Sequence, residues 1–229
     1  MNISVFLSYA RRDDEEFVQK LQADLIHLGC EAWYDRQNMT NDGAPFTQAM
    51  GDAIRNCSHF LFIVGNSSVN SQWCLGELDQ ALRHCKVIIP ILRLGDYILI
   101  PKPIDKFHAV DFRLDNAYPD RLAELTRLIT DPIRPLANIS HVPRLPDALL
   151  PRQPYVEQLK KAIRSGDPLH LVTSHQEVAV LVGVGGIGKT TLASLLCHDC
   201  EVRRTFDQIL WANVGPGLTK KDVPNLMRR

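Results

Sequence analysis

Ile3-Ser4-Val5-Phe6-Leu7-Ser8-Tyr9 is a short, mostly apolar run, and a few residues later Phe17, Leu21, Leu25 and Leu28 recur at helical spacing. A buried strand that hands on to an amphipathic helix is the first half of a strand–helix–strand unit. The alternation then repeats. Residues 31–35, 59–65, 87–93 and 109–112 read as further strands. The first helix opens at Asp13, read as its N-cap with Glu16 three residues on. A second begins after Pro45 with Phe46, Met50, Ala53 and Ile54. A third spans residues 71–85 with Leu75, Leu78, Leu82 and Cys85 as its apolar stripe and Glu77 at the stripe's edge. A fourth follows Pro119 with Leu122, Leu125 and Ile129 turned inward. Five strands interleaved with helices predict an α/β domain over residues 1–131, a flavodoxin-like five-stranded parallel sheet wound on both faces.

Prolines at 132, 135, 143, 146, 151 and 154 break the pattern. Proline lacks an N–H and disfavours helix before it, so residues 132–154 are expected to form an extended linker. Beyond it a helix is read at 155–164, a strand at 169–173 and an apolar run at 178–182. That run leads directly into Gly183-Val184-Gly185-Gly186-Ile187-Gly188-Lys189-Thr190, which meets G-x-x-x-x-G-K-[ST] at every fixed position. Glycines at these places let successive N–H groups converge on phosphate oxygens, and the helix that follows adds its positive end. Gly183, Gly185, Gly186, Gly188, Lys189, Thr190 and Thr191 are therefore the expected ATP/ADP-binding residues. Lys189 would meet the β/γ-phosphates and Thr190 would ligate Mg²⁺. Residues 208–214 give one more strand, and no later apolar strand ends in an acid, so no Walker-B segment is legible. Residues 155–229 thus read as a truncated P-loop α/β domain and the chain as the front part of a longer protein.

Composition excludes several functions. Lys+Arg and Asp+Glu each total 26, so no net field draws the chain to nucleic acid or an anionic membrane. No run reaches the length of a membrane span, and the first residues lack a basic, apolar leader, which predicts a cytoplasmic protein. Its six cysteines are then expected as thiols. Cys197-His198-Asp199-Cys200 is a lone C-x-x-C without a second pair at zinc spacing, placed on the helix after the phosphate loop, and reads as structural.

In an open α/β sheet, ligands sit beyond the carboxyl ends of the strands near the point where strand order reverses. Ser8, Tyr9 and Ala10, residues 35–43, and Gly65-Asn66 should surround that crevice. A phosphoacceptor receiver domain would need an Asp at the end of the third strand, where this chain has Gly65-Asn66, and is set aside. Trp73 and Cys74 precede Glu77 by four and three residues and share its surface, so the indole is expected to exclude water from the carboxylate. Such a carboxylate could stabilise a developing cation. The plainer alternative is a solvated helix glutamate beside a core tryptophan.

Phe6-Leu7-Ser8-Tyr9 with Asp13, then Asp35 with Met39 and Gly43, then Trp73-Cys74-Leu75-Gly76-Glu77-Leu78 together resemble the TIR domain over residues 2–130. From Ala148 onward the chain resembles an NB-ARC or STAND-type nucleotide switch, on Pro151-Arg152, the phosphate loop and the run from Val202 to Trp211. The pairing resembles TIR-containing immune and defence receptors. That resemblance implies cleavage of the nicotinamide–ribose bond of NAD⁺ with Glu77 as the catalytic residue. Ser8, Tyr9, Ala10, Arg11, Gln37 and Trp73 would contact the substrate, although some active members carry an acid at the place of Gln37. It also implies an ATP/ADP-dependent switch that brings TIR domains together as a homo-oligomer, with the alternative that the TIR domain is a non-catalytic scaffold for other TIR domains. An unrelated P-loop enzyme is a third reading.

Overall fold

His59-Phe60-Leu61-Phe62-Ile63-Val64 has no polar residue after its first, a pattern that suits a strand covered on both faces. The computed structural model describes residues 3–34, 44–145, 153–165 and 184–212, and this run is β3 (His59–Val64), buried throughout. The neighbouring strands are β1 (Ser4–Ser8), β2 (Glu31–Tyr34), β4 (Val87–Leu92) and β5 (Val110–Asp111). All pair in parallel in the order β2-β1-β3-β4-β5. The five expected strands form, each one or two residues shorter than read.

Because side chains alternate along a strand, the sheet faces two cores. Val5, Leu7, Leu61, Ile63, Ile89 and Ile91 pack with Phe17, Val18, Leu21 and Leu25 of α1 (Arg11–His27) and with Leu125 and Ile129 of α4 (Tyr118–Thr130). Phe6, Phe60, Phe62, Val64 and Ile88 pack on the other face with Ile54 of α2 (Ala44–Asn56) and with Cys74, Leu78 and Ala81 of α3 (Gln72–Arg83). Register places Phe6 beside Phe60, whose rings stack 5.6 Å apart. Each fully buried phenylalanine contributes on the order of 2–3 kcal/mol.

Two local expectations need correction. The first turn of α1 is broken at Asp14 (φ −155°, ψ 83°), whose Oδ1 accepts the Phe17 N–H at 3.0 Å. Asp14 therefore caps the regular helix, and Asp13 is left for another task. On α3 the buried positions are Cys74, Glu77, Leu78 and Ala81, while Leu75 is 38% exposed. The stripe is rotated toward Glu77 because a polar partner on β1 receives its carboxylate.

The chain divides into two units, residues 1–133 and 134–229. In the second, β6 (Asn138–Ser140) pairs in parallel with β7 (Gln208–Leu210), Ile139 opposite Ile209. Within the stretch expected as a linker, residues 138–140 form this strand, Gln153 and Pro154 open a helix, and residues 146–152 lie outside the described residues. The physical reason for the strand is that a partner strand satisfies the backbone groups an isolated extended segment would leave to water. The Pro143 carbonyl also accepts from Ser194 Oγ at 2.7 Å. The helices are α5 (Gln153–Ser165), α6 (Lys189–His198) and α7 (Cys200–Thr205). The expected strands at 169–173 and 178–182, with Gly183, fall outside the described residues. No described helix is long and apolar enough to cross a membrane.

The C-x-x-C is split between α6 and α7 by Asp199, which caps α7 by accepting from the N–H groups of Glu201 and Val202. Among the described residues Cys30, Cys57, Cys74 and Cys197 are free thiols.

Lys160 on α5 is only 4% exposed and lies within 3.0 Å of Glu157, 3.2 Å of Asp199 and 2.7 Å of Glu201. Burial alone would lower its pKa, but hydrogen bonds to Glu201 and Glu157 and the charge of Asp199 outweigh it and hold the ammonium above the usual lysine value. The raised value means that this contribution is complete at neutral pH and is lost only as pH rises through the lysine range. Lys160→Met should lower the opening free energy of residues 202–206 by about 3 kcal/mol, since three carboxylates lose their common cation. Hydrogen exchange of those amides is the measurement. Unchanged protection would show that the cage carries no stability.

Candidate active site and phosphate loop

The strand order reverses between β1 and β3, and the region beyond their carboxyl ends is where an open α/β sheet holds its ligands. Into it β1 delivers Ser8, and α3, following β3, delivers Glu77. Ser71 caps α3 by accepting from the Cys74 N–H, so the helix starts one turn before Glu77 at a fixed place. Ser8 Oγ donates to Glu77 Oε2 at 2.5 Å, with Ser8 1% and Glu77 7% exposed. A carboxylate this buried needs such a partner, because an unsatisfied polar group would cost several kcal/mol.

The loops beside this pair are tied together by Asp13. Its Oδ1 and Oδ2 accept the N–H groups of Ser67 and Ser68, each at 2.8 Å. Ser68 Oγ in turn donates to the Ile63 carbonyl at 2.7 Å and accepts from the Gly65 N–H at 2.9 Å. Gly65 has no space for a side chain: a Cβ there would overlap the Asp13 carboxylate. Arg93 at the end of β4 closes the rim, donating to Asp14 Oδ2 at 2.7 Å and to the Phe112 carbonyl at 2.8 Å while lying over the Phe17 ring.

Of the residues expected from sequence, the structure joins Ser8 to Glu77. Ser8 is buried and cannot line a pocket as an open wall. Tyr9 is buried edge-to-face against Tyr34 at 5.7 Å, which removes it as a stacking surface. Ala10 is half-buried at the N-terminal end of α1, and Arg11 beside it is exposed. Trp73 was expected to shield Glu77, yet its side chain is 64% exposed. The sheet-facing place one turn before Glu77 is taken by the small Cys74, so Ser8 and Cys74 rather than an indole enclose the carboxylate. Gln37 lies outside the described residues. Sequence reading missed the roles of Asp13, Gly65 and Ser68. A glycine closing a buried strand was the available signal, since it marks close backbone approach.

In the second unit Gly186 (φ 79°) and Gly188 (φ 91°) occupy the left-handed region that favours glycine. Residues 184–187 are exposed, and α6 begins at Lys189 with no side chain capping its first turn. Lys189 Nζ donates to the Val184 carbonyl at 2.8 Å, folding the ammonium over the loop. Thr190 is exposed on the first turn, and Thr191 is half-buried. First-turn N–H groups, a lysine and an exposed hydroxyl form a donor set suited to an anion. Among the described residues no group of acids, cysteines and histidines could hold a metal.

Comparison with known proteins agrees with both halves. The TIR domain family model matches residues 5–126 and the NB-ARC domain model residues 157–228. NAD(+) hydrolase TcpC of Escherichia coli is 29% identical over 91 residues, 38% of this chain and 29% of that protein. Probable 2′ cyclic ADP-D-ribose synthase BdTIR of Brachypodium distachyon is 27% identical over 151 residues, 56% of this chain and 66% of that protein. Probable disease resistance RPP8-like protein 2 of Arabidopsis thaliana is 47% identical over 55 residues, 24% of this chain and 6% of that protein. The aligned part is under two thirds of the length of each of these relatives. With the TIR model covering more than half of its residues and the five-stranded parallel sheet in place, the chain belongs to the TIR domain family, its TIR domain followed by an NB-ARC match of the kind found in TIR-NBS receptors.

Proposed function

We propose that this chain is a cytoplasmic NAD⁺ glycohydrolase whose TIR domain is switched by nucleotide-dependent assembly. The observation that carries the proposal is the Ser8–Glu77 hydrogen bond, which holds a buried carboxylate at the strand-order reversal. Departure of neutral nicotinamide from NAD⁺ leaves an oxocarbenium-like ribose. A preorganised carboxylate in a water-poor crevice stabilises that charge or binds the ribose hydroxyls as it develops. Attack by water gives ADP-ribose, and attack by a ribose hydroxyl gives a cyclic product. The names of TcpC and BdTIR, a hydrolase and a cyclic ADP-ribose synthase, support both outcomes for this reading. Of the expected contacts, Arg11 and Trp73 are exposed enough to meet the substrate.

ATP or ADP would be held by Gly185, Gly186, Gly188, Lys189, Thr190 and Thr191, with Thr190 supplying a Mg²⁺ ligand; the bound metal would neutralise phosphate charge. Exchange of the nucleotide would alter assembly and bring TIR domains together. Lys189→Ala should weaken ADP binding by the chain about tenfold or more, because a charge-assisted phosphate contact is lost. Isothermal titration giving equal affinities for the two proteins would refute this.

A second reading, a TIR scaffold without activity, is favoured by exposed apolar side chains beyond β4 and β5, namely Leu94, Tyr97, Ile98 and Leu114. Nicotinamide release on forced clustering separates the two. Release supports the enzyme, and its absence in folded, clustered protein supports the scaffold.

A further inference from the structure

Ser8 has a geometry that its expected place among pocket-lining residues does not explain. At 1% exposure its hydroxyl cannot reach a ligand in the crevice, yet it points its proton at Glu77 Oε2. The strand register fixes where that hydroxyl stands, because Ser8 is paired with Phe62 of β3 inside the sheet. On the other side stands Cys74, one helical turn before Glu77 and 3% exposed. Burial raises the Cys74 pKa, so the group remains a neutral thiol.

We infer that Ser8 is the positioning residue of the catalytic carboxylate: it pins Glu77 Oε2 to the end of β1, so that the sheet sets the plane of the carboxylate and the direction its other oxygen faces. The inference rests on the reading of Glu77 as the catalytic residue and adds the group through which the fold orients it. Ser8 acts through Glu77 and touches no substrate. The other ionisable groups in this corner are Cys74 on α3 and Asp13 on α1.

The test is a carboxyl-carbon NMR titration of the full chain with labelled glutamate, the Glu77 signal being assigned by its loss in Glu77→Gln. Removing a hydroxyl donor from a carboxylate disfavours its charged form, so Ser8→Ala should raise the Glu77 midpoint by about one pH unit. Ser8→Thr, which restores the hydroxyl, should return most of that shift, an effect that a merely packing role would not produce. If Ser8→Ala does not fold, Ser8→Cys carries the test, and its weaker donor should give a smaller upward shift. A wild-type midpoint in the folded Ala or Cys variant overturns the positioning role. NAD⁺ turnover measured on the same samples keeps the two claims apart. Loss of turnover in Glu77→Gln with an unshifted Ser8 variant overturns the positioning alone, whereas retained turnover in Glu77→Gln overturns the catalytic reading and the positioning of a catalytic group with it.

Discussion

Glu77→Gln reduces nicotinamide release from NAD⁺ by about 10²–10³-fold while the TIR domain stays folded. The size follows from what is removed: a preorganised charge aimed at a developing cation is worth roughly 3–4 kcal/mol in a water-poor site. The fold should persist because glutamine keeps the volume of the side chain and its amide oxygen still accepts from Ser8. Circular dichroism and the denaturant midpoint check the second half, and nicotinamide release under forced clustering checks the first. Turnover within a fewfold of the wild type in a folded Gln variant would remove Glu77 from the chemistry.

Gly65→Ala is the substitution with the largest expected effect on the stability of the TIR domain. Its new methyl would overlap the Asp13 carboxylate, which cannot simply rotate away, because both its oxygens accept backbone N–H groups of Ser67 and Ser68. Displacing it leaves two donors unsatisfied and strains the β1–α1 connection, a loss of about 2–3 kcal/mol. A double-mutant cycle with Asp13→Ala isolates the cause. Truncating Asp13 removes the carboxylate atoms that lie closest and leaves only its Cβ, 2.9 Å away, so most of the clash is relieved and the two losses should sum to more than the double variant shows. Strict additivity would mean that the collision is not what destabilises Gly65→Ala.

How far the sequence reached depended on range. The five strands were legible because runs such as Phe60 to Val64 contain nothing but apolar residues, and a parallel sheet buried on both faces has no other composition. Helix faces were less so. Periodicity gave α3 a stripe through Leu75, while the structure exposes Leu75 and buries Glu77. Nothing within the helix reveals that Ser8, 69 residues earlier, supplies the hydroxyl that makes burying a glutamate tolerable. Asp13 was misread for the same reason, since a good capping residue and a carboxylate reaching across to Ser67 and Ser68 look alike in one dimension. The prolines pointed to a linker, whereas residues 138–140 pair with β7 about 70 positions later, a contact that local pattern does not encode. In the phosphate loop Gly186 and Gly188 are in the left-handed region that favours glycine, though of the two only Gly188 is a fixed position of the motif.

The central claim, that the carboxylate at the strand-order reversal breaks the nicotinamide–ribose bond, is tested most directly by following free nicotinamide when the wild-type chain is incubated with NAD⁺, first dispersed and then tethered at high density on a surface. The account predicts release that rises steeply with clustering. Folded, clustered protein that leaves NAD⁺ intact would contradict it.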